Sequence, residues 1–494
     1  MATHTELKLE PAILTIFGIT GDLAHRKLLP ALYHLAENDL LPPTLQIIGT
    51  TRQNIKAVDV IQKINETVEK SGETTNQKTL NWLTKSLSIV SMDITDPKDY
   101  AKLKLRLNNI EDELGQCLHR LFYLAIPSTV FGPVIDRLGK ADLNTGCQHG
   151  VTKSRLLIEK PFGYDLVSAE ELVETLKQSF KEEDIYRIDH YLAKETVQNI
   201  MTLRFQNPLF KSVWNGQHIS HILITAAESI GIEGRTNFYE QTGALRDIIQ
   251  SHLLQVLALV TMEEPKNVSA EAIHTSRQLV LEQIKPPKPN EMHQSTVRAQ
   301  YESYKAEVEN PDSTSETFAA IKFTIENETW KNTPIFIRTG KNLAQKTTEI
   351  TLTFSDENKP DYANYLTIRI QPNEGIVMDL RIKRPGYTDE IEHVQMDFCY
   401  TNTIDASHPD AYERVLVDTL RGDKTLFATS DAVIASWQII QPILDAWEQN
   451  RVPLVSYKNG SWGPADSNVL LEKSDAHWMT AQLNICTPRL PRAS

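Results

Sequence analysis

Residues 12–35 read AILTIFGITGDLAHRKLLPALYHL, and the rest of the first third of the chain follows from how this stretch is read. Its first six residues, AILTIF, are a continuous apolar run, as a strand buried on both faces of a parallel sheet requires. Gly18 and Gly21 follow at once, and from Leu28 onward apolar residues recur at helical spacing: Leu28, Leu29, Leu32, Leu35 and Ala36. A strand that turns through glycines into a helix opens a βαβ unit. Glycines there let the backbone approach a pyrophosphate, and the helix start offers free N–H groups and the positive end of its dipole. Ala24 stands at the third position of the glycine fingerprint, small enough for close helix–strand packing. A tight turn with no ligand would use the same residues, so the turn alone leaves both readings open.

The rhythm continues. Apolar runs at 45–49, 121–126, 156–158 and 184–188 alternate with helical patterns, which predicts α/β structure built on a doubly wound parallel sheet. The second run leads into Thr50-Thr51-Arg52. An NAD site usually carries Asp or Glu there for the ribose 2′-hydroxyl, whereas a guanidinium pairs bidentately with a 2′-phosphate. The pattern favours NADP over NAD; the plainer alternative is an exposed arginine after a strand.

Beyond about residue 190 the style changes. Strand patterns at 221–225, 317–325, 349–354 and 365–371 are joined largely by turns, with helical patterns at 243–262 and 410–420 and a polar loop at 285–295. This predicts an α+β domain on a mostly antiparallel sheet. The expected division is a nucleotide-binding domain over 1–189 and a larger substrate-binding and dimerisation domain over 190–494.

Composition narrows the function. The 494 residues leave room for two or three domains. A hydrophobic fraction of 40% and a charged fraction of 23% exclude a disordered or fibrous chain. Fifty-one basic against 64 acidic residues give a net charge of −13, which argues against nucleic-acid partners. Any anionic ligand must then be met by a local basic cluster. The four cysteines, Cys117, Cys147, Cys399 and Cys486, form no C-x-x-C pair, so reduced thiols are expected rather than a disulfide framework or zinc ribbon. Residues 1–10 lack a basic region followed by an apolar stretch, and no apolar run approaches the ~18 residues of a membrane span. A cytoplasmic protein with no membrane partner is expected.

Three further segments carry chemistry. Ile158-Glu159-Lys160-Pro161-Phe162-Gly163 ends a strand in Lys-Pro, which demands a turn and permits a cis peptide. Lys160 then stands at the carboxyl end of a parallel strand, where such sheets bind ligands; an exposed lysine at a turn is the alternative. Residues 187–195, RIDHYLAKE, follow the next strand and are expected to open a helix with Asp189 as N-cap. His190 and Lys194 would lie one turn apart with Tyr191 beside them, a phosphomonoester site or merely a solvated helix start. His252 falls on the face of Ile248, Ile249, Val256 and Leu259, where a core histidine competes with a catalytic one. His218 and His221 lack a third ligand and are rejected as a metal pair.

Taken together these segments resemble the glucose-6-phosphate dehydrogenase family. The resemblance is carried by GITGDLAHRKLLPALY (18–33), GTTRQ (49–53), IEKPFG (158–163) and RIDHYLAKE (187–195). It continues through GIEGRTNFYEQTGALRDIIQSHLLQ (231–255), PIFIRTGKNLAQKTTEI (334–350), PDAYERVLVDTLRGDKTLF (409–427) and SWGP (461–464). It implies a Rossmann-type first domain and oxidation of glucose 6-phosphate at C1 to the lactone, the first step of the oxidative pentose phosphate pathway, with NADP. It also implies a homodimer or homotetramer formed through the second domain's sheet. Carried over by position, it assigns Gly18, Thr20, Gly21, Asp22, Leu23, Lys27 and Arg52 to the cofactor, with Lys160 reaching both cofactor and substrate. Lys160, His190, Tyr191, Lys194, Glu228, Asp247, Lys341 and Lys346 fall to the substrate. His252 matches the base and Asp189 its carboxylate partner; no metal is implied.

The chain departs from the family at Ala193, where glycine is usual, at Ser251, where asparagine precedes the base, and at Thr236-Asn237 in place of Gly-Gly. None of these removes a group that the chemistry needs. Two alternatives are a different Rossmann sugar oxidoreductase, against which residues 187–195 speak, and a non-catalytic dinucleotide-binding protein. Loss of Lys194, Asp189 or His252 would have favoured the second, and all three are present.

Overall fold

The computed structural model describes residues 9–147, 152–356, 359–400, 409–474 and 476–479. Residues 1–8 and Cys486, on which two of the expectations above rest, lie outside these. The chain forms two compact units, and neither is one continuous stretch: Met1–Ala193 with Ser269–His274 and Pro409–Val433, and Lys194–Val268 with Thr275–His408 and Ile434–Ser494.

The first unit holds six parallel strands, β1 (Ala12–Phe17), β2 (Gln46–Thr51), β3 (Leu87–Ser91), β4 (His119–Leu124), β5 (Ser154–Glu159) and β6 (Ile185–Ile188). Their order is β3-β2-β1-β4-β5-β6, the doubly wound arrangement expected, with the strand order reversing between β1 and β4. Because strand side chains alternate, β1 feeds both faces: Ala12, Leu14 and Ile16 enter one core cluster, Ile13 and Phe17 the other. β3 was not foreseen; its LSIVS is short and half-buried, without a long apolar run.

The later segment 409–433 completes the first of these clusters with Val415, Leu416, Leu420 and Phe427. Its helix Ala411–Arg421 starts on Asp410, whose side chain accepts from Tyr412 N, and ends at Gly422 with φ +75°. Buried Arg155 on β5 donates to the Thr419 and Leu420 carbonyl oxygens at 2.7 and 3.2 Å. Buried Arg187 on β6 pairs with Glu182 and donates to Ser430 Oγ at 2.7 Å.

One expectation is overturned here. Cys117 and Cys147 form a disulfide with Cα atoms 5.6 Å apart, and Cys399 is also disulfide-bonded. Cys117 lies two residues before β4 and Cys147 seven residues before β5. The parallel pairing of β4 with β5 brings their entries together across 30 residues of sequence, which local spacing does not reveal.

The second unit is built on a mixed, mostly antiparallel sheet. Its strands are β7 (Ile219–Ala227), β8 (Ile284–Lys285), β9 (Thr296–Tyr301), β10 (Phe318–Ile325), β11 (Ile335–Gly340), β12 (Thr347–Asp356), β13 (Lys359–Gln371), β14 (Gly375–Lys383), β15 (Ile391–Cys399) and β16 (Leu454–Tyr457). The order is β15-β14-β13-β12-β7-β11-β10-β9-β16, with β8 against β10. Among the strands of the described residues in this sheet, only β7–β11 and β9–β16 pair in parallel. β7 and β11 therefore end side by side, which sets Glu228 and Lys341, the next residue of each, beside one another. No helix among the described residues is long and apolar enough to cross a membrane.

Candidate active site

In the first unit, the glycine turn and the ends of β2, β3 and β4 enclose a cavity of about 460 Å³. Gly18 has φ +79°, and a Cβ there would stand 2.6 Å from the Ala125 carbonyl oxygen, so glycine is required. Its amide and that of Ile19 both donate to Thr50 O, which folds the turn back over β2. The helix begins with a π-helical turn, Ala24–Leu28, before the α-helix Leu29–Glu37. Gly18, Thr20, Gly21 and Arg52 line the cavity; Asp22, Leu23, Lys27 and Lys160 are not among its lining residues. Lys27 is instead 3.6 Å from Asp410, and Asp22 pairs with Arg26 on the surface at 3.6 Å. The cavity also draws Thr50, Thr51, Gln53, Asp93 and Thr95. Position alone could have flagged them, since each follows or closes a parallel strand at the carboxyl edge. A glycine-floored turn at the carboxyl edge of a parallel sheet suits the phosphates of a dinucleotide.

At the end of β5 the Lys160–Pro161 peptide is cis. Glu159, just before it, is the centre of a buried cluster: Tyr123 Oη donates to it at 2.5 Å, and Tyr412 from the returning segment also bonds it. Burial pushes the Glu159 carboxyl up to about 7, partly offset by the tyrosine donors and Lys160.

After β6 the structure corrects the expected helix start. Asp189 is buried and its carboxylate accepts from Tyr191 N at 2.9 Å, but this closes a turn over 190–193, and the helix begins only at Glu195. Asp can cap a local turn as readily as a helix, and here the turn wins. The one-turn helical spacing of His190 and Lys194 is therefore not realised. Lys194 is the extended residue before the helix, with φ −73° and ψ 136°. His190 and Tyr191 meet edge-on with ring centroids 5.0 Å apart. Ala193 is buried among apolar side chains and has no positive φ, so the usual glycine is not needed there.

In the second unit, Lys341 is almost wholly buried, its ammonium bonded to the Glu228 carboxylate and 3.9 Å from Asp247. Tyr239 lies beneath it, its ring centroid 5.5 Å from Nζ, a residue the sequence reading passed over. Lys346, five residues on, is exposed at the entry to β12. Asp247 and His252 both sit in a π-helical segment, Leu245–Leu253, and His252 is 1% exposed. In a π-helix the backbone bonds from i to i+5, so each turn takes in more residues than in an α-helix. The spacing used above to group His252 with Ile248 and Ile249 assumed an α-helix, whereas the segment is π-helical.

The local sequence supports this winding. Gly243 has φ +65°, and a Cβ there would strike the Glu316 carboxylate at 2.4 Å. That buried carboxylate accepts from Leu245 N at 2.9 Å and so caps the segment. Ser251 Oγ donates to the Arg246 and Asp247 carbonyl oxygens, groups that π winding displaces from their α-helical partners. Of the seven basic groups expected to serve anionic ligands, Lys27 and Lys341 thus already carry acidic partners.

Family models match both parts of the chain: the NAD binding domain of glucose-6-phosphate dehydrogenase over residues 15–199, and the C-terminal domain of the same enzyme over residues 201–479. The glucose-6-phosphate 1-dehydrogenase of Rhizobium meliloti is 39% identical, over 96% of this chain and 99% of its own. That of Bacillus subtilis is 36% identical, over 94% of this chain and 98% of its own. Among solved structures, a glucose-6-phosphate dehydrogenase in complex with its substrate glucose-6-phosphate superposes with a TM-score of 0.88 at 32% identity, covering 97% of this chain and 100% of that one. The Mycobacterium avium enzyme gives a TM-score of 0.81 at 34% identity, covering 96% of this chain and all of that one.

Proposed function

The chain belongs to the glucose-6-phosphate dehydrogenase family, and on that premise we propose how its residues oxidise glucose 6-phosphate at C1. It is an oxidoreductase acting on this substrate, and the near full-length likeness to a substrate-bound relative is the observation that carries the reading. Bound NADP, favoured by Arg52 at the nucleotide cavity, would supply the hydride acceptor. His190, Tyr191 and Lys194 hold the 6-phosphate, which fixes C1 in place. Glu228 and Asp247 accept hydrogen bonds from sugar hydroxyls, with Lys341 and, at the rim, Lys346 balancing their charge; Lys160 reaches both ligands. His252 takes the O1 proton as the C1–H bond gives up its hydride and the C1=O bond of 6-phospho-D-glucono-1,5-lactone forms. Asp189 orients the imidazole and stabilises it once charged.

The test is direct. Mixing the protein with NADP and glucose 6-phosphate is expected to raise reduced-nicotinamide absorbance, and unphosphorylated glucose is expected to give little. Equal rates on both sugars would remove the phosphate site from the reading.

The proposal extends to assembly and compartment. A homodimer or homotetramer joined through the second unit's sheet is supported by its outer hairpin, where Ile382, Ile391, Met396 and Tyr387 are exposed. A monomer by sedimentation at micromolar concentration would count against it. The proposed compartment is the cytoplasm, and the pathway the first step of pentose phosphate oxidation. Cell fractionation checks the compartment: recovery of the protein with the cytosolic fraction is expected, and recovery elsewhere would overturn that location.

A further inference from the structure

Arg52 does not face the nucleotide cavity alone. β2 and β3 pair in parallel with Thr51 opposite Ser91, and Met92 N continues the ladder by donating to Thr51 O at 3.0 Å. Arg52 directly follows β2 and Asp93 lies two residues past β3, beyond Met92; both line the cavity, near enough for the guanidinium to act on the carboxylate. Asp93 is held in place. Its Oδ1 accepts from Thr95 N at 2.8 Å and from Thr95 Oγ1 at 2.7 Å. Its own N–H donates to Asp99 Oδ2 at 2.7 Å, and Asp99 is fixed in turn by Lys102. The Thr95 donors and, more weakly, Arg52 keep its carboxyl below the usual carboxylate range, so it is an anion throughout the neutral range.

Resting on the NADP reading above, we propose that Asp93 is a specificity-determining residue that weakens discrimination between NADP and NAD. A 2′-phosphate drawn to Arg52 is brought toward the Asp93 carboxylate as well. A 2′-hydroxyl carries no charge and is indifferent to it, or donates a hydrogen bond. The guanidinium selects for the phosphate and the carboxylate against it, and NAD remains usable. At a solvent-exposed site, two like charges several ångströms apart change a binding constant by about three- to ten-fold, and salt screens the effect.

The experiment is calorimetric binding, without turnover, of NADP, NAD, 2′,5′-ADP and 5′-AMP to the wild-type protein and to Asp93→Asn and Arg52→Ala variants. Asn keeps an oxygen for Thr95, so the turn should survive; Asp93→Ser serves if a thermal melt shows that it does not. For Asp93→Asn the expected result is NADP and 2′,5′-ADP tighter by about three- to ten-fold, with NAD and 5′-AMP nearly unchanged. The gain should shrink as salt is added. An unchanged ratio, or an equal shift for both cofactors, overturns the role of Asp93. Arg52→Ala is read separately: selective loss of the 2′-phosphorylated ligands supports the NADP reading, and equal loss of both kinds overturns that reading instead.

Discussion

Replacing His252 by Asn is expected to lower kcat by about 10²- to 10⁴-fold, the range that a positioned general base contributes, and to leave glucose 6-phosphate affinity nearly unchanged. A sugar hydroxyl is a very weak acid, so proton removal must accompany hydride departure, and no bulk base can be placed as well. His252 is nearly inaccessible to solvent, on a segment whose winding is set by Gly243, Glu316 and Ser251 rather than by helix propensity. A merely structural histidine would give a different result: a lower melting temperature with kcat retained in the folded fraction. Stopped-flow turnover beside equilibrium binding of the sugar phosphate separates the two, and substantial retained kcat sinks the assignment.

Lys341→Met is expected to cost about 3 kcal/mol of stability, because it removes the cation and leaves two carboxylates facing each other. Lys341 and Asp247 have side chains only 3% and 8% exposed, so water cannot take over, whereas Glu228 at 32% can partly relax. Neutralising the remaining acid should restore part of the loss: the double variant Lys341→Met, Asp247→Asn is expected to be more stable than Lys341→Met alone. Urea unfolding monitored by tryptophan fluorescence reports both. A single variant within about 0.5 kcal/mol of the wild type would mean that the charges are solvated after all.

The parts of this molecule that could be read in its sequence are those whose cause is local. β1 was legible because a strand buried on both faces must be apolar throughout. The turn after it was legible because Gly18 occupies a conformation and a space that only glycine tolerates. β14 and β15 were not, since their outward-facing hairpin carries polar and apolar residues without a buried face to enforce alternation. The helix expected from Asp189 failed because the same carboxylate can close a turn. At the candidate site, residue types were read correctly as charged and titratable, but their relations were not. His252 was assigned α-helical neighbours, and the partners of Lys27 and Lys341 come from 383 and 113 residues away in the chain. Pairings of that separation, like the Cys117–Cys147 bond, depend on topology, which spacing does not encode.

The segment 409–433 also has a consequence in time. The apolar face that Leu416, Leu420 and Phe427 cover belongs to strands made among the first 193 residues. A ribosome adding about 5–20 residues per second reaches residue 433 roughly 10–50 seconds after residue 193. During that interval the nascent first unit presents an open greasy face, and Arg155 and Arg187 lack the bonds they later make to residues 419, 420 and 430. The order of synthesis thus makes this unit, although it begins first, among the last parts of the chain able to close, and a natural client for chaperones that shield exposed apolar surface.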